Sequence, residues 1–270
     1  MEGIMYLRAL KTAVEAAQKA GSFLIEKVST EVTIETKALN DFVTNVDKES
    51  ESLIISLLQE DFPEFGILAE EQGAKPHFDK TPYWVIDPLD GTTNFIHRFP
   101  IFAVSIGLCV GKQPVLGAVY DPNRKELFTA IQGEGAFLNG QRINVSTAHL
   151  LQHSLIGTGF PFRNIAIIDQ YQKCFAEILK RTHGIRRAGV ASLDLCYLAC
   201  GRLDGFWEHG LQPWDAAAGT IIIQEAGGKV TDFLNRDEFL FGRTMTASNG
   251  IIHEELQKIV SSTMPLQYPY

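Results

Sequence analysis

The sequence predicts an α/β protein, with an α+β first half and an α/β second half. Three observations carry that prediction. Helical apolar spacing near the start gives way to closely spaced alternating strands between residues 103 and 131. After about residue 147, strands and helices alternate one for one. The length, 270 residues, suits one large core or two coupled ones. Residues 1–146 and 147–270 are expected to form two halves of one compact unit.

Each element has its own signal. Residues 7–28 carry Ala and Leu at helical spacing and read as a first helix. Residues 32–36 alternate like a strand, and 37–41 read as a loop. Thr44 or Asn45 caps a second helix through Leu53, Ile54, Leu57 and Leu58, which stops before Pro63. Residues 65–69 form a short buried strand that delivers Glu70 and Glu71 at its end. The apolar run 83–86 is another, ending at Asp87. Residues 103–110 and 115–120 are strands joined by a turn at 111–114. Residues 126–131 are a further strand, and 133–144 are rich in turn residues. Beyond them come strand 155–158, helix 165–181, strand 185–188, helix 191–200, strand 203–208, helix 214–226 and strand 229–232. Residues 264–270 read as a loose tail.

Composition narrows the function. Hydrophobic residues make up 45% and charged residues 21%, an ordinary globular mix. A net charge of -8 gives no support to generic binding of nucleic acid or anionic membrane. There is no apolar run of ~18 residues to span a bilayer. The first 19 residues lack the apolar core and cleavage site of a signal peptide. Cys109, Cys174, Cys196 and Cys200 fit no CxxC pattern and read as buried small side chains in a reducing cytoplasm.

The chemistry concentrates in the acids. Glu70 ends one strand, Asp87 and Asp90 end the next, and Asp215 opens a helix of small residues. Singly, each acid reads more readily as a cap or turn residue. The run Asp87-Pro88-Leu89-Asp90-Gly91-Thr92-Thr93 is harder to read that way. Pro88 fixes the backbone after Asp87 and can aim the Leu89 carbonyl to the side of both carboxylates. Gly91 permits close approach of a ligand. Gly91 and Thr92 open a short helix whose free N–H groups can cradle a phosphate. Acids and phosphate repel, so the arrangement makes sense with cations between them, and oxygen-only ligands select Mg²⁺ or Mn²⁺.

Four stretches together resemble the inositol monophosphatase family. They are Asp41-Phe42-Val43-Thr44-Asn45-Val46-Asp47, Glu70-Glu71, residues 84–95, and Pro213-Trp214-Asp215-Ala216-Ala217-Ala218-Gly219. The resemblance covers about residues 5–260. It implies a layered αβαβα sandwich, Mg²⁺ dependence, lithium inhibition and a homodimer. It further implies that Glu70, Asp87 and the Leu89 carbonyl hold a first Mg²⁺. Asp87, Asp90 and Asp215 hold a second, and a third, weaker ion sits near Glu70. Thr92 and Asp47 would form a dyad that positions an attacking water. Asp47 reads equally well as a first-turn acid of the second helix. Asp90, Gly91, Thr92, Ala191, Glu208 and Asp215 would contact a small phosphorylated polyol. The implied reaction is hydrolysis of myo-inositol 1-phosphate. Fructose 1,6-bisphosphate, histidinol phosphate and 3'-phosphoadenosine 5'-phosphate are the alternatives within the class.

Three other features carry less. Gly133-Glu134-Gly135 lacks the GxGxxG spacing of a dinucleotide site and reads as a turn. His149 and His153 lack the glutamate of a zinc HExxH motif. The basic stretch 180–187 is the one feature favouring an RNA or transcription-complex partner. It reads more simply as helix C-terminal complementation plus a subunit interface.

Overall fold

The computed structural model describes residues 2–29, 33–38, 41–72, 81–162, 164–265. Five layers stack in the order helix, sheet, helix, sheet, helix, which is the expected αβαβα sandwich. The outer layer is α1 (Glu2–Lys27) with α2 (Asn45–Asp61). Beneath it lies a seven-stranded sheet in the order β3-β4-β5-β6-β7-β8-β9. Its strands are Gly66–Ala69, Tyr83–Asp90, Ala103–Val110, Gln113–Asp121, Glu126–Ile131, Gly135–Leu138 and Gln141–Ile143. The short helix α3 (Thr92–Ile96) follows β4. The middle layer is α5 (Ala191–Ala199) and α6 (Pro213–Glu225). A five-stranded sheet follows, in the order β11-β10-β12-β14-β13. Its strands are β10 Leu155–Thr158, β11 Gly184–Arg186, β12 Gly205–His209, β13 Lys229–Thr231 and β14 Thr244–Ser248. Helices α4 (Ile168–Leu179) and α8 (His253–Thr263) close the far side, and α7 (Phe239–Gly242) is a single turn.

The sequence explains how closely these layers sit. Ala9, Ala13, Ala16, Ala17, Ala20 and Leu24 form one buried stripe of α1, so the helix lies flat on the sheet. In β4, Trp84 and Ile86 face the α1/α2 core, while Tyr83 and Val85 face the α5/α6 core. Period-two alternation thus serves both faces of a doubly covered sheet. On the far face, paired Gly107 and Gly117 leave room for Ala217 and Ala218 of α6. Gly219 does the same toward Leu195 of α5.

Several sequence expectations need correction. The strand expected at 32–36 is β1, Ile34–Ala38, and Val32 lies outside the described residues. The loop expected at 37–41 is largely strand. β1 pairs antiparallel with β2 (Asp41–Thr44), with a register shift between Thr36 and Ala38, and residues 39–40 are not described. The turn at 111–114 is shorter than expected, because β6 already begins at Gln113. The turn-rich stretch 133–144 holds β8 and β9. The helix expected from 165 opens with a 3₁₀ turn, Ile165–Ile167. β14 and α8 fall where no element is expected from the sequence. β14 is antiparallel to β12 and β13, so the second sheet is mixed. Met264, expected in a loose tail, is buried against the outer core, and residues 266–270 are not described.

Candidate active site

β4 carries the acids out of the core. Its pairing with β5 slips between Asp87 and Asp90, where Pro88 has no N–H to give the ladder. The chain there is fixed by other bonds. Leu89 N–H donates to Asp87 Oδ1 at 3.0 Å, and the Ser50 hydroxyl donates to the Pro88 carbonyl at 2.9 Å. Gly91 then turns with φ 99°, a left-handed conformation open to glycine. A Cβ there would stand 2.8 Å from Val190 Cγ2.

Two helices complete the group. Ser192, in the first turn of α5, donates its N–H and hydroxyl to Asp90 Oδ2 at 2.8 and 2.6 Å. Asp215 is the third residue of α6, and its Oδ2 accepts the Gln212 N–H at 2.7 Å. One carboxylate oxygen each from Asp87, Asp90 and Asp215 falls within 4.8 Å of the others. Burial pushes the Asp87 carboxyl well above its ordinary range, reinforced by Glu70, Asp90 and Asp215. Burial, then the charge of Asp215, pushes Asp90 up to about 7. Buried acids that repel one another are a donor set for a hard divalent cation, and the oxygen-only chemistry fits Mg²⁺ or Mn²⁺.

The acids open into a cleft of about 430 Å³. Glu70, Asp87, Leu89, Asp90, Gly91, Thr92, Ala191, Glu208 and Asp215 all line it. Asp47 does not line the cleft and reaches it through Thr92. The Thr92 hydroxyl lies 3.0 Å from Asp47 Oδ1 and 3.2 Å from the Leu89 carbonyl. The other Asp47 oxygen accepts the Thr44 N–H and hydroxyl at 2.8 and 2.5 Å, closing the capping box of α2. One Asp47 oxygen thus caps α2 and the other meets the Thr92 hydroxyl. Burial raises its carboxyl, and the bonds from Thr44 and Thr92 oppose that rise.

Glu208 leaves β12 beside Gly159, where any side chain would collide with its carboxylate. Burial, then Asp215 and Asp194, holds Glu208 well above the usual carboxylate range.

Sequence reasoning missed Asp194, Arg187, Phe160 and Phe162, which share the cleft. Asp194 lies one turn along α5 from Ala191, a spacing that could have found it. Burial, then Asp90, raises its carboxyl. Arg187 lies over Phe160 and Phe162, its guanidinium carbon 5.0 and 5.7 Å from their ring centres. The basic stretch 180–187 is therefore dispersed. Lys180 and Arg181 both pair with Glu177, and Arg187 turns into the cleft.

Comparison with known proteins gives one answer. The family model described as "Inositol monophosphatase family" matches residues 6–264. The Nus factor SuhB of Escherichia coli strain K12 is 45% identical over 242 residues, covering 89% of this chain and 91% of that one. The extragenic suppressor protein suhB of Bartonella henselae superposes with a TM-score of 0.90 at 38% identity, over 95% of this chain and 100% of that one. The inositol monophosphatase of Anabaena (Nostoc) sp. PCC 7120 superposes with a TM-score of 0.81 at 38% identity, over 95% and 96% of the two chains. In sequence and fold, this chain belongs to the inositol monophosphatase family.

Proposed function

We propose that the protein is a Mg²⁺-dependent phosphomonoesterase that converts myo-inositol 1-phosphate and water to myo-inositol and phosphate. The observation that carries this reading is the convergence of Asp87, Asp90 and Asp215 within 4.8 Å, in the cleft that also holds Thr92 and Glu208. Glu70, Asp87 and the Leu89 carbonyl are assigned to a first ion. Asp87, Asp90 and Asp215 are assigned to a second, with a third beside Glu70. Divalent cations bound there supply Lewis-acid charge for the attacking water and the departing alkoxide.

The chain's own groups have distinct parts in this reading. Asp47 accepts the Thr92 hydroxyl proton at 3.0 Å, which leaves the Thr92 oxygen as an acceptor for a proton of the attacking water. The N–H groups of Gly91 and Thr92, at the start of α3, hold phosphoryl oxygens. Ala191 and Glu208 face the departing polyol, with the Glu208 carboxylate accepting a ring hydroxyl. Water attacks phosphorus in line, and phosphorus forms no bond to the protein. Cysteines 109, 174, 196 and 200 are unpaired, which suits a reducing cytoplasm. Exposed Phe99 and Ile165 offer apolar surface to a homodimer.

The test is a panel of myo-inositol 1-phosphate, fructose 1,6-bisphosphate, histidinol phosphate and 3'-phosphoadenosine 5'-phosphate with Mg²⁺. The first should lead by about ten-fold in kcat/KM, equivalent to about 1.4 kcal/mol. A ten-fold lead by another would overturn the substrate assignment. Asp90→Asn should keep the fold and lose turnover, and an active variant would remove Asp90 from the machinery.

The name of the Escherichia coli relative supports a second reading, a partner in a transcription complex. Transcription-machinery subunits retained by the wild type and lost on Arg186→Ala would favour it. Retention of none would remove it.

A further inference from the structure

One side of α2 touches three segments that carry cleft residues. Asp47, Ser50 and Glu51 are spaced i, i+3 and i+4, so they share a face. They are 1%, 0% and 1% exposed. Asp47 meets the Thr92 hydroxyl, Ser50 meets the Pro88 carbonyl, and Glu51 Oε2 accepts the backbone N–H of Glu71 at 2.8 Å. The first two contacts reach β4 and α3. The third reaches the end of β3, beside Glu70.

The Glu51 contact completes a pair. The N–H of Glu70 donates to the Ile86 carbonyl of β4 at 3.2 Å. The next N–H, that of Glu71, donates to Glu51. The peptide groups on both sides of Glu70 are therefore held, one by β4 and one by α2. Fixing both peptides fixes φ and ψ at Glu70, and with them the direction of its Cα–Cβ bond. Burying a carboxylate is costly, so the placement of Glu51 calls for a use. The contact has a use if Glu70 must point one way.

We infer that Glu51 is a positioning residue that aims the Glu70 carboxylate at the first-ion position. This rests on the assignment of Glu70 to a divalent ion under the proposed function. Partners outside the ligand shell typically govern metal affinity by ~10–100-fold, by limiting the directions a ligand can adopt.

The test measures Mn²⁺ binding directly, from the electron paramagnetic resonance of free Mn²⁺, on the full chain without substrate. Three variants separate charge from geometry. Glu51→Asp keeps the charge and shortens the reach. Glu51→Gln removes the charge and keeps an oxygen that accepts the Glu71 N–H. Glu51→Ala removes both. Glu51→Asp and Glu51→Ala should weaken one Mn²⁺ site by about ten-fold and spare the other, while Glu51→Gln stays close to wild type. Circular dichroism melts establish that each variant is folded. Should Glu51→Ala fail to fold, the Asp and Gln pair decides alone. A wild-type isotherm for Glu51→Asp overturns the inference. So does a Glu51→Gln isotherm as weak as that of Glu51→Asp, since the loss would then not follow the bond to the Glu71 N–H. Wild-type protein that binds Mn²⁺ and hydrolyses no phosphate of the panel would sink the proposed activity and leave this inference standing. Wild-type protein that binds no Mn²⁺ would sink both.

Discussion

Gly117→Ala tests whether the seating of α6 fixes the site. A Cβ at 117 would stand 2.6 Å from the Ala218 carbonyl oxygen, 2.8 Å from Ile221 Cγ2 and 2.9 Å from Ala218 Cα. Two of these atoms are backbone and cannot rotate away. Ordinary contact begins near 3.4 Å, so α6 must lift by most of an ångström. The space above is already filled, because Gly219 of α6 sits against Leu195 of α5. Overpacking of this kind costs about 1–3 kcal/mol. In a chain of this size that lowers Tm by roughly 2–5 °C. Asp215 rides on the first turn of α6, so its carboxylate moves with the helix. A displacement near 1 Å can cost ~100-fold in turnover. Differential scanning calorimetry and kcat with myo-inositol 1-phosphate read the two effects separately. Gly107→Ala, whose nearest neighbours are at 3.0 and 3.2 Å, should fall between this variant and wild type. Gly3→Ala, with no atom within 4 Å, should lose nothing. A Gly117→Ala protein with wild-type Tm and turnover would refute the argument that close packing of α6 sets the position of Asp215.

Two further outcomes follow from named contacts. Ser192→Ala removes the 2.6 Å hydroxyl bond to Asp90 and leaves the backbone one. A bond to a charged acceptor is worth about 1.5–3 kcal/mol, so the Asp90 carboxyl moves above its present value of about 7. Protons then compete harder for the site. Calorimetry should show Mg²⁺ binding weakened more at pH 7 than at high pH, and equal weakening at both would count against this account. His253 supplies a pH signature of stability far from the cleft. Its ring is buried between the Thr231 and Ser248 hydroxyls, and burial, then Lys229, lowers its pKa to about 4. The folded state therefore holds it neutral. Its contribution is complete above pH ~6.5 and is lost as pH falls through about 4, roughly 3 kcal/mol in all. Wild-type Tm should fall more steeply than that of His253→Gln across this window, and parallel curves would exclude the effect.

What was legible in the sequence was what is local. Asp87 to Thr92 occupy six consecutive positions, so one bulge and one turn bring a large part of the site together. Thr44 and Asp47 advertise a helix start by their spacing. What was not legible depends on contacts far along the chain. Gly133 and Gly135 read as a turn, yet their N–H groups go to the Glu225 carboxylate at 2.8 and 2.7 Å, and that anchor holds the start of β8. Arg186 and Arg187 read as one basic patch. Successive residues leaving a strand point opposite ways, so only Arg187 enters the cleft. β14 pairs with strands on both sides, and tertiary pairing rather than local propensity decides such a segment.

The layers explain why the acids meet where they do. Asp87 and Asp90 end a strand of the first sheet, while Asp215 begins a helix that lies between the two sheets. Bringing them within 4.8 Å sets like charges against one another in a buried place. Each is restrained by a backbone N–H, a local one for Asp87 and Asp215 and one from α5 for Asp90. Leu89 holds Asp87, Ser192 of α5 holds Asp90, and the Gln212 N–H holds Asp215. The repulsion is thus opposed by fixed donors, and for Asp90 and Asp215 those donors belong to the helix layer packed against the first sheet. Among the described residues lining the cleft, Arg187 is the lone cationic side chain, and it lies over the Phe160 and Phe162 rings. A group of carboxylates held rigid, buried and short of positive charge has two ways to relax, by taking up protons or by taking up cations. The upward shifts of Asp87 and Asp90 are the first of these. Their displacement by a divalent ion is the second, and the rigidity that makes the protons hold tightly also presents the oxygens to that ion already arranged.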